Sequence, residues 1–361
     1  MTAVCEQISR RDLAAALAIC GRVVPRRALA EVYQSVSLAA GAAEATDGEL
    51  RVSVPIPYDG EPILLPYSRL QALTRACTGD QLEIDSEHGQ DTIRAGGGRW
   101  RLPTVAHSEW PQAAEVQAVP VARIPGDQLR RALDAVLDAA DSESSRYALA
   151  GVRMEVEDGV VHVVATDGRR LHLCEVEIDQ AVDDCQLLIP VRAAGLIATL
   201  CRHADDEVQI ERAGEEVRAT WGESGLWLRC RQLAGTFPRW RDAIPERPEA
   251  TRVVVRADHL AQALRQAAIC TSETSKAITL TIGEVITATA ESSEAGASTV
   301  TLEAIEATGT VSVRVDPSYC VAWLKTCDQV EPITVEASDA GSALVFRSED
   351  ATGVVMPMGA E

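Results

Sequence analysis

ATDGRRLHLC (165–174) and ATDGELRVSV (45–54) carry the same four residues ahead of an alternating apolar run, with Ala45 and Ala165 lying 120 residues apart. Asp-Gly is a strong turn pair, because glycine tolerates positive φ and the aspartate carboxylate can accept from its own backbone. Ahead of the second turn Val152, Met154 and Val156 alternate with Arg153, Glu155 and Glu157, the pattern of a half-buried strand. The spacing predicts a hairpin in which Asp167 is a turn residue and His172 a strand residue, not an acid–base pair. No activated serine or cysteine constellation, phosphate-binding glycine loop or paired-carboxylate motif accompanies it, which argues against catalysis.

Outward from these turns the chain repeats itself three times. One Ala- and Leu-rich segment recurs as SRRDLAAALAIC (9–20), GDQLRRALDAVLDAA (126–140) and ADHLAQALRQAAIC (257–270), each with the i, i+3, i+4 period of an amphipathic helix. A second recurs as PYSRLQALTRAC (66–77), PVRAAGLIATLC (190–201) and DPSYCVAWLKTC (316–327), with proline near the front and cysteine at the end of each. Between the two helices the sequence marks a pair of strands. In the third repeat that hairpin reads ATAESSEAGAS (288–298), without Asp-Gly and 123 residues on from Ala165. Further alternating strands follow each second helix, as in EVQIERAGEEVRATW (207–221). Trp110-Pro111 and Phe237-Pro238 close the first two repeats. The pattern predicts three α+β domains, 1–119, 120–247 and 248–361, joined by the proline-containing segments 116–125 and 244–252.

The 361 residues carry a formal charge of −20, with 46% hydrophobic and only 4% aromatic residues, so the core must be built from valine, leucine, isoleucine and alanine. The acidic balance speaks against a protein that grips nucleic acid by neutralising phosphates, and a solubilising surface is its plainest reading. Lysine occurs only at Lys276 and Lys325, so nearly all the positive charge is arginine. No uncharged apolar run reaches membrane-spanning length, and MTAVCEQISRRDL lacks the pattern of a secretion signal. The ten cysteines form no C-x-x-C pair and read as reduced thiols of a cytoplasmic protein. The six histidines show no metal-ligand spacing, so neither a metal nor another cofactor is expected.

VVATDGRRL (163–171), FPRWRDAIP (237–245), AAIC (267–270) and VVMPM (354–358), in this order and spacing, resemble the bacterial DNA polymerase III β subunit, the sliding clamp. The resemblance covers the whole length. It implies an α+β DNA-clamp fold with three similar domains per chain and a head-to-tail dimeric ring, helices lining the hole and sheets outside. Double-stranded DNA would pass through the hole without regard to sequence. Replicative polymerase, clamp loader and repair proteins would dock through short linear motifs, and the protein would be a non-catalytic processivity factor. A closed ring also accounts for the charge, since a mildly positive lining suffices when DNA is held topologically.

By the same resemblance Leu149, Thr166, Gly168, Arg169, Arg170, Leu171, Pro238, Asp242, Ala243, Val354, Met356, Pro357 and Met358 line a peptide-binding groove between the second and third domains. Apolar side chains and adaptable methionines suit such a socket, while arginines can donate to an extended partner's carbonyls. A frayed terminus is the competing reading of Met356 and Met358. Three positions depart from the family pattern: Arg169 replaces histidine, Asp242 replaces arginine, and Ala243 is smaller than the usual valine.

The DNA-facing residues implied are Arg10, Arg11, Arg26, Arg27, Arg130, Arg131, Arg146, Arg192, Arg202, Arg265 and Lys325. A solvated helix face is the alternative for each, and Asp141 and Glu143 lie close to Arg146 in the sequence. The implied subunit contact sets Ile269 and Cys270 against Trp100 and Leu102 of the second chain, with intradomain packing as the alternative. A clamp-fold paralogue with an accessory role fits the residues equally. A metabolic enzyme of repeated α+β domains would need a nucleophile or cofactor motif that the chain lacks, and a scaffold that never encircles DNA would not be retained on circular DNA.

Overall fold

The structure, a computed structural model, describes residues 5–87, 90–103, 105–112, 117–141, 147–178, 185–202, 207–222, 224–245, 249–272, 276–328 and 330–359. Among the described residues six α-helices lie where the repeats predict them: α1 (Arg10–Cys20), α2 (Tyr67–Ala76), α3 (Gly126–Val136), α4 (Val191–Leu200), α5 (Ala257–Ala267) and α6 (Pro317–Leu324). Ser9 caps α1 by accepting from the Asp12 N–H at 3.3 Å, and Asp316 caps α6 by accepting from the Ser318 N–H at 2.8 Å. The first helices each bury one stripe, Leu13, Ala16, Leu17 and Cys20 in α1, then Leu129, Ala132, Leu133 and Val136 in α3. Leu260, Ala263, Leu264 and Ala267 form the same stripe in α5, and i, i+3, i+4, i+7 spacing dictates it. Within each repeat the two helices pack on one another.

Sequence periodicity marked two strands between the helices, whereas the structure holds four. Around the second turn they are Gly151–Glu157, Val160–Thr166 and Arg170–Glu177, a meander, with Cys185–Pro190 returning beside the first before entering α4. The turn missed by periodicity is Asp158-Gly159, with φ of 51° and 83°, and its counterpart in the first repeat is Ala40-Gly41 at 47° and 78°. A left-handed alanine leaves no turn signature in a sequence, which is why the first of these hairpins is hard to read.

The strands obey one plan. In each repeat the strand before the first helix joins the three after the second helix in one sheet. Four strands between the helices make the other, and in the third repeat a short fifth, Glu306–Ala307, adds to the first kind beside Thr251–Arg256. The first kind runs Cys5–Ser9, Gln81–Glu87, Gln90–Ala95, Gly98–Leu102, then recurs as Val119–Pro125, Glu207–Ala213, Glu216–Trp221, Leu226–Arg231. Its third instance is Thr251–Arg256, Pro332–Ala337, Leu344–Arg347, Ala351–Val355.

Two compact units result, one formed by Met1–Pro125 with Ala204–Gln232, the other by Gly126–His203 with Leu233–Glu361. In the first unit Leu50–Pro55 pairs with Leu226–Arg231 and makes an eight-stranded sheet. In the second Arg170–Glu177 pairs with Ala351–Val355 and makes a nine-stranded one. Each unit also holds a four-stranded sheet, ending at Gly98–Leu102 in the first and at Gly296–Glu303 in the second.

Trp221 fills the interior of the first unit, and Trp323 and Phe346 that of the second, their rings 5.4 Å apart. Among the described residues no disulfide forms, and burial pushes the Cys20, Cys174 and Cys230 thiols up to about 12, which makes them inert. None of the described helices is long and apolar enough to cross a membrane.

Candidate functional site

The Asp-Gly turns are built alike. The Asp167 carboxylate accepts from the N–H groups of Arg169 and Arg170 at 2.8 and 3.0 Å, while the Thr166 hydroxyl accepts from Gly168 N–H and donates to the Arg170 carbonyl. Asp47 and Thr46 do the same around Gly48. Gly168 and Gly48 adopt φ of 86° and 97°, open to glycine at no steric cost. Asp167 is thus a turn residue. His172 points away from it into the layer under α3, where its Nδ1 lies 3.0 Å from the Ala135 carbonyl. Burial holds its pKa down at about 4, so it is a neutral core residue at physiological pH.

Beyond the turn, register does the functional work. Arg170 stands opposite Val355 and Leu171 opposite Val354, so the second and third repeats share a joint. Leu171 and Val354 enter an apolar cluster with Val164, Leu173, Leu188, Phe237 and Trp240, edged by Ala148, Leu233, Ile244 and Ala343. Leu149 and Thr166 are buried nearby in the same unit, while Gly168, Arg169, Pro238, Asp242 and Ala243 are exposed. The tail is tied in, since Met356 N–H donates to the Arg169 carbonyl at 2.8 Å and Met358 N–H to that of Arg314 at 2.7 Å. The Met356 and Met358 side chains stay exposed and Pro357 half-buried.

Arg170 is less available than a free donor. Its Nε donates to Asp167 at 3.0 Å, its guanidinium reaches the Asp138 carbonyl, and it lies 4.6 Å from the Tyr319 ring of α6. Asp242 pairs with Arg239 at 3.1 Å on the surface.

Periodicity gave no sign of the polar latch behind the Trp240–Ala243 turn. Glu155, buried, accepts from Arg241 at 2.7 Å, from Arg153 at 3.2 Å and from the Trp240 indole at 3.3 Å. Arg241 also reaches Glu157 and stacks 4.1 Å from the Trp240 ring. Burial alone would raise the Glu155 pKa, but the hydrogen bonds from Arg241 and Trp240 outweigh it and hold the carboxyl below its ordinary value. The one available signal was the alternation of Glu155 and Glu157 with apolar residues along their strand, which carries no partner information by itself.

The family model for the DNA polymerase III beta subunit, central domain, matches residues 123–239. The beta sliding clamp of Pseudomonas aeruginosa is 26% identical over 364 residues, covering 97% of this chain and 98% of that protein. That of Escherichia coli K12 is 22% identical over 312 residues, covering 85% and 84%. The crystal structure of a DnaN sliding clamp from Pseudomonas aeruginosa bound to griselimycin is similar with a TM-score of 0.92 at 25% identity, over 99% of this chain and 100% of that one.

The chain is similar over nearly its whole length to bacterial β sliding clamps. It has the clamp fold and serves DNA replication as a sliding clamp, without catalysis of its own.

The remaining predicted positions of the clamp fall into two groups. Several helix arginines already have partners: Arg10 donates to the Gly79 and Thr74 carbonyls, Arg130 and Arg202 both reach Asp134, and Arg131 lies 4.0 Å from Asp350. Arg11, Arg26, Arg27, Arg265 and Lys325 are exposed, as is Arg192, which has an interaction of its own. Arg146 lies outside the described residues. Trp100 and Leu102 sit on the edge strand Gly98–Leu102, with Trp100 exposed and Leu102 half-buried. Ile269 is 74% exposed, and Cys270 half-buried beside it.

Proposed function

We propose that the clamp, divided at 1–119, 120–247 and 248–361, closes head to tail with a second chain into a ring of six like domains around duplex DNA. The observation that carries this reading is the rule of the sheet joints. Twice, the edge strand of one repeat's inter-helix sheet pairs with the edge strand of the next repeat's other sheet, Leu50–Pro55 with Leu226–Arg231 and Arg170–Glu177 with Ala351–Val355. Gly296–Glu303 and Gly98–Leu102 hold the same positions in the plan, yet each ends its own sheet. Applied once more, the rule pairs Gly296–Glu303 with Gly98–Leu102 of a second chain. Unpaired edges favour strand addition, and a heterologous contact repeated until it closes makes a ring. Ser298 Oγ donates to the Ala267 carbonyl at 2.8 Å, so exposed Ile269 lies beside the edge that needs a partner.

DNA is held topologically, and the exposed cations Arg11, Arg26, Arg27, Arg192, Arg265 and Lys325 make a lining that favours phosphate without gripping it. Replicative polymerase, clamp loader and repair proteins dock at the Leu171–Val354 joint through short motifs with leucine or phenylalanine anchors, in the cytoplasm where the chromosome lies. The experiment is retention on nicked circular plasmid after loading. The clamp stays on the circle and leaves once the plasmid is linearised; equal loss from both forms overturns the ring. Calorimetry with griselimycin tests the docking site, where binding by the parent and none by Leu171→Ala is the supporting result.

A further inference from the structure

We infer that Arg51 keeps shut a second copy of the docking groove, at the joint between the first two repeats, and so restricts each chain to one docked peptide. The inference rests on the reading of the Leu171 joint as the docking site.

The two joints correspond residue by residue. Arg51 follows its Asp-Gly turn as Leu171 follows its own, standing opposite Thr46 where Leu171 stands opposite Thr166. Across the joint Arg51 faces Arg229, whereas Leu171 faces Val354. One hairpin step back, Glu44 stands opposite Ser53 as Val164 stands opposite Leu173. The surrounding apolar wall is retained. Trp110, the aromatic before Pro111, clusters with Leu64 and Val32, as Phe237 clusters with Leu188 and Ala148 in the other joint. The scaffold of the groove is therefore present twice, and its floor differs by three charged substitutions.

Arg51 fills what the charges leave. Its guanidinium donates to the Pro111 carbonyl, lies 3.6 Å from the Glu44 carboxylate and 5.5 Å from the Trp110 ring centre. Only 13% of the side chain is exposed. It sits against the aromatic wall where a peptide's apolar anchor would pack, and it occupies the loop carbonyl that an extended peptide would need as acceptor. An arginine so held is expensive to displace, because its removal from these partners would leave a half-buried carboxylate and a carbonyl unmet. Leu171 offers no such obstacle at the other joint.

The test uses the full-length clamp and a fluorescein-labelled peptide from a bacterial replicative polymerase tail with leucine and phenylalanine anchors. The parent binds one peptide per chain, and Leu171→Ala weakens binding by at least about tenfold. Adding Glu44→Val, Arg51→Leu and Arg229→Val to Leu171→Ala restores binding at one peptide per chain. The same three changes in the Leu171 background raise the stoichiometry to two. A folded triple variant that binds one peptide and restores nothing overturns the inference. Should the triple variant not fold, Arg51→Leu with Leu171→Ala gives the answer through tryptophan emission, where Trp110 responds saturably to unlabelled peptide; no response is the overturning result. If the parent itself binds no peptide, the Leu171 docking site is the reading that fails.

Discussion

Leu171 faces Val354 across two antiparallel strands from different repeats, and the two side chains are 4% and 2% exposed. They belong to the core and to the proposed docking floor at once, so truncation has two readouts. Leu171→Ala is expected to lower stability by about 2–5 kcal/mol, the range for emptying a buried leucine site. It also weakens peptide binding at least about tenfold. Leu171→Met keeps volume and should cost under about 1.5 kcal/mol with binding retained. Urea titration and calorimetry on the two variants check this.

The Glu155 latch is expected to act on the same groove from behind. Glu155→Ala strands the Trp240 N–H and takes from Arg241 one of its two carboxylate partners, and because Arg241 is 46% exposed the loss should be about 1–3 kcal/mol. Peptide affinity should fall with it, since the turn bearing Asp242 loses its anchor. Glu155→Gln, which still offers an acceptor to Trp240, should fall in between.

His172 makes stability depend on pH. Its folded pKa, about 4, lies below the unfolded value near 6.5, so the unfolded chain binds the extra proton. The contribution is fully present above about pH 6.5 and is lost as pH falls toward 4, by roughly 3 kcal/mol at most. Urea midpoints at pH 7.5 and 5 should differ more for the parent than for His172→Gln. Equal differences would assign the acid sensitivity to other groups.

Ile269 is exposed beside the edge strand that the proposed ring would pair, and a charge there should prevent apolar contact with a second chain. Ile269→Asp is expected to sediment as a single chain at concentrations where the parent is a dimer, with an unchanged melting curve at the level of the monomer core. Dimeric sedimentation of the variant would move the contact elsewhere.

Much of this protein was legible before any coordinates. The Asp-Gly turns, the six amphipathic helices and the threefold plan follow from local physics, because turn chemistry and the period of apolar residues act within a few positions. Resemblance pointed to Leu171, Val354 and the Trp240 segment as belonging together. The meander strand beginning at Ser35 was partly hidden, since the Ala40-Gly41 turn has no side-chain signal, whereas the one beginning at Gly151 was legible in its alternation.

Sequence by itself determined that ATDG makes a turn in both repeats and that the residues after it differ. Only tertiary structure decided what that difference means. Leu171 meets Val354 and an apolar wall, while Arg51 meets Glu44, the Pro111 carbonyl and the Trp110 face. The partners lie far away along the chain, and a side chain's worth depends on its register and burial beside them, which no local pattern encodes. The same holds for Glu155, an ordinary strand carboxylate in the sequence and the anchor of Trp240 and Arg241 in the fold.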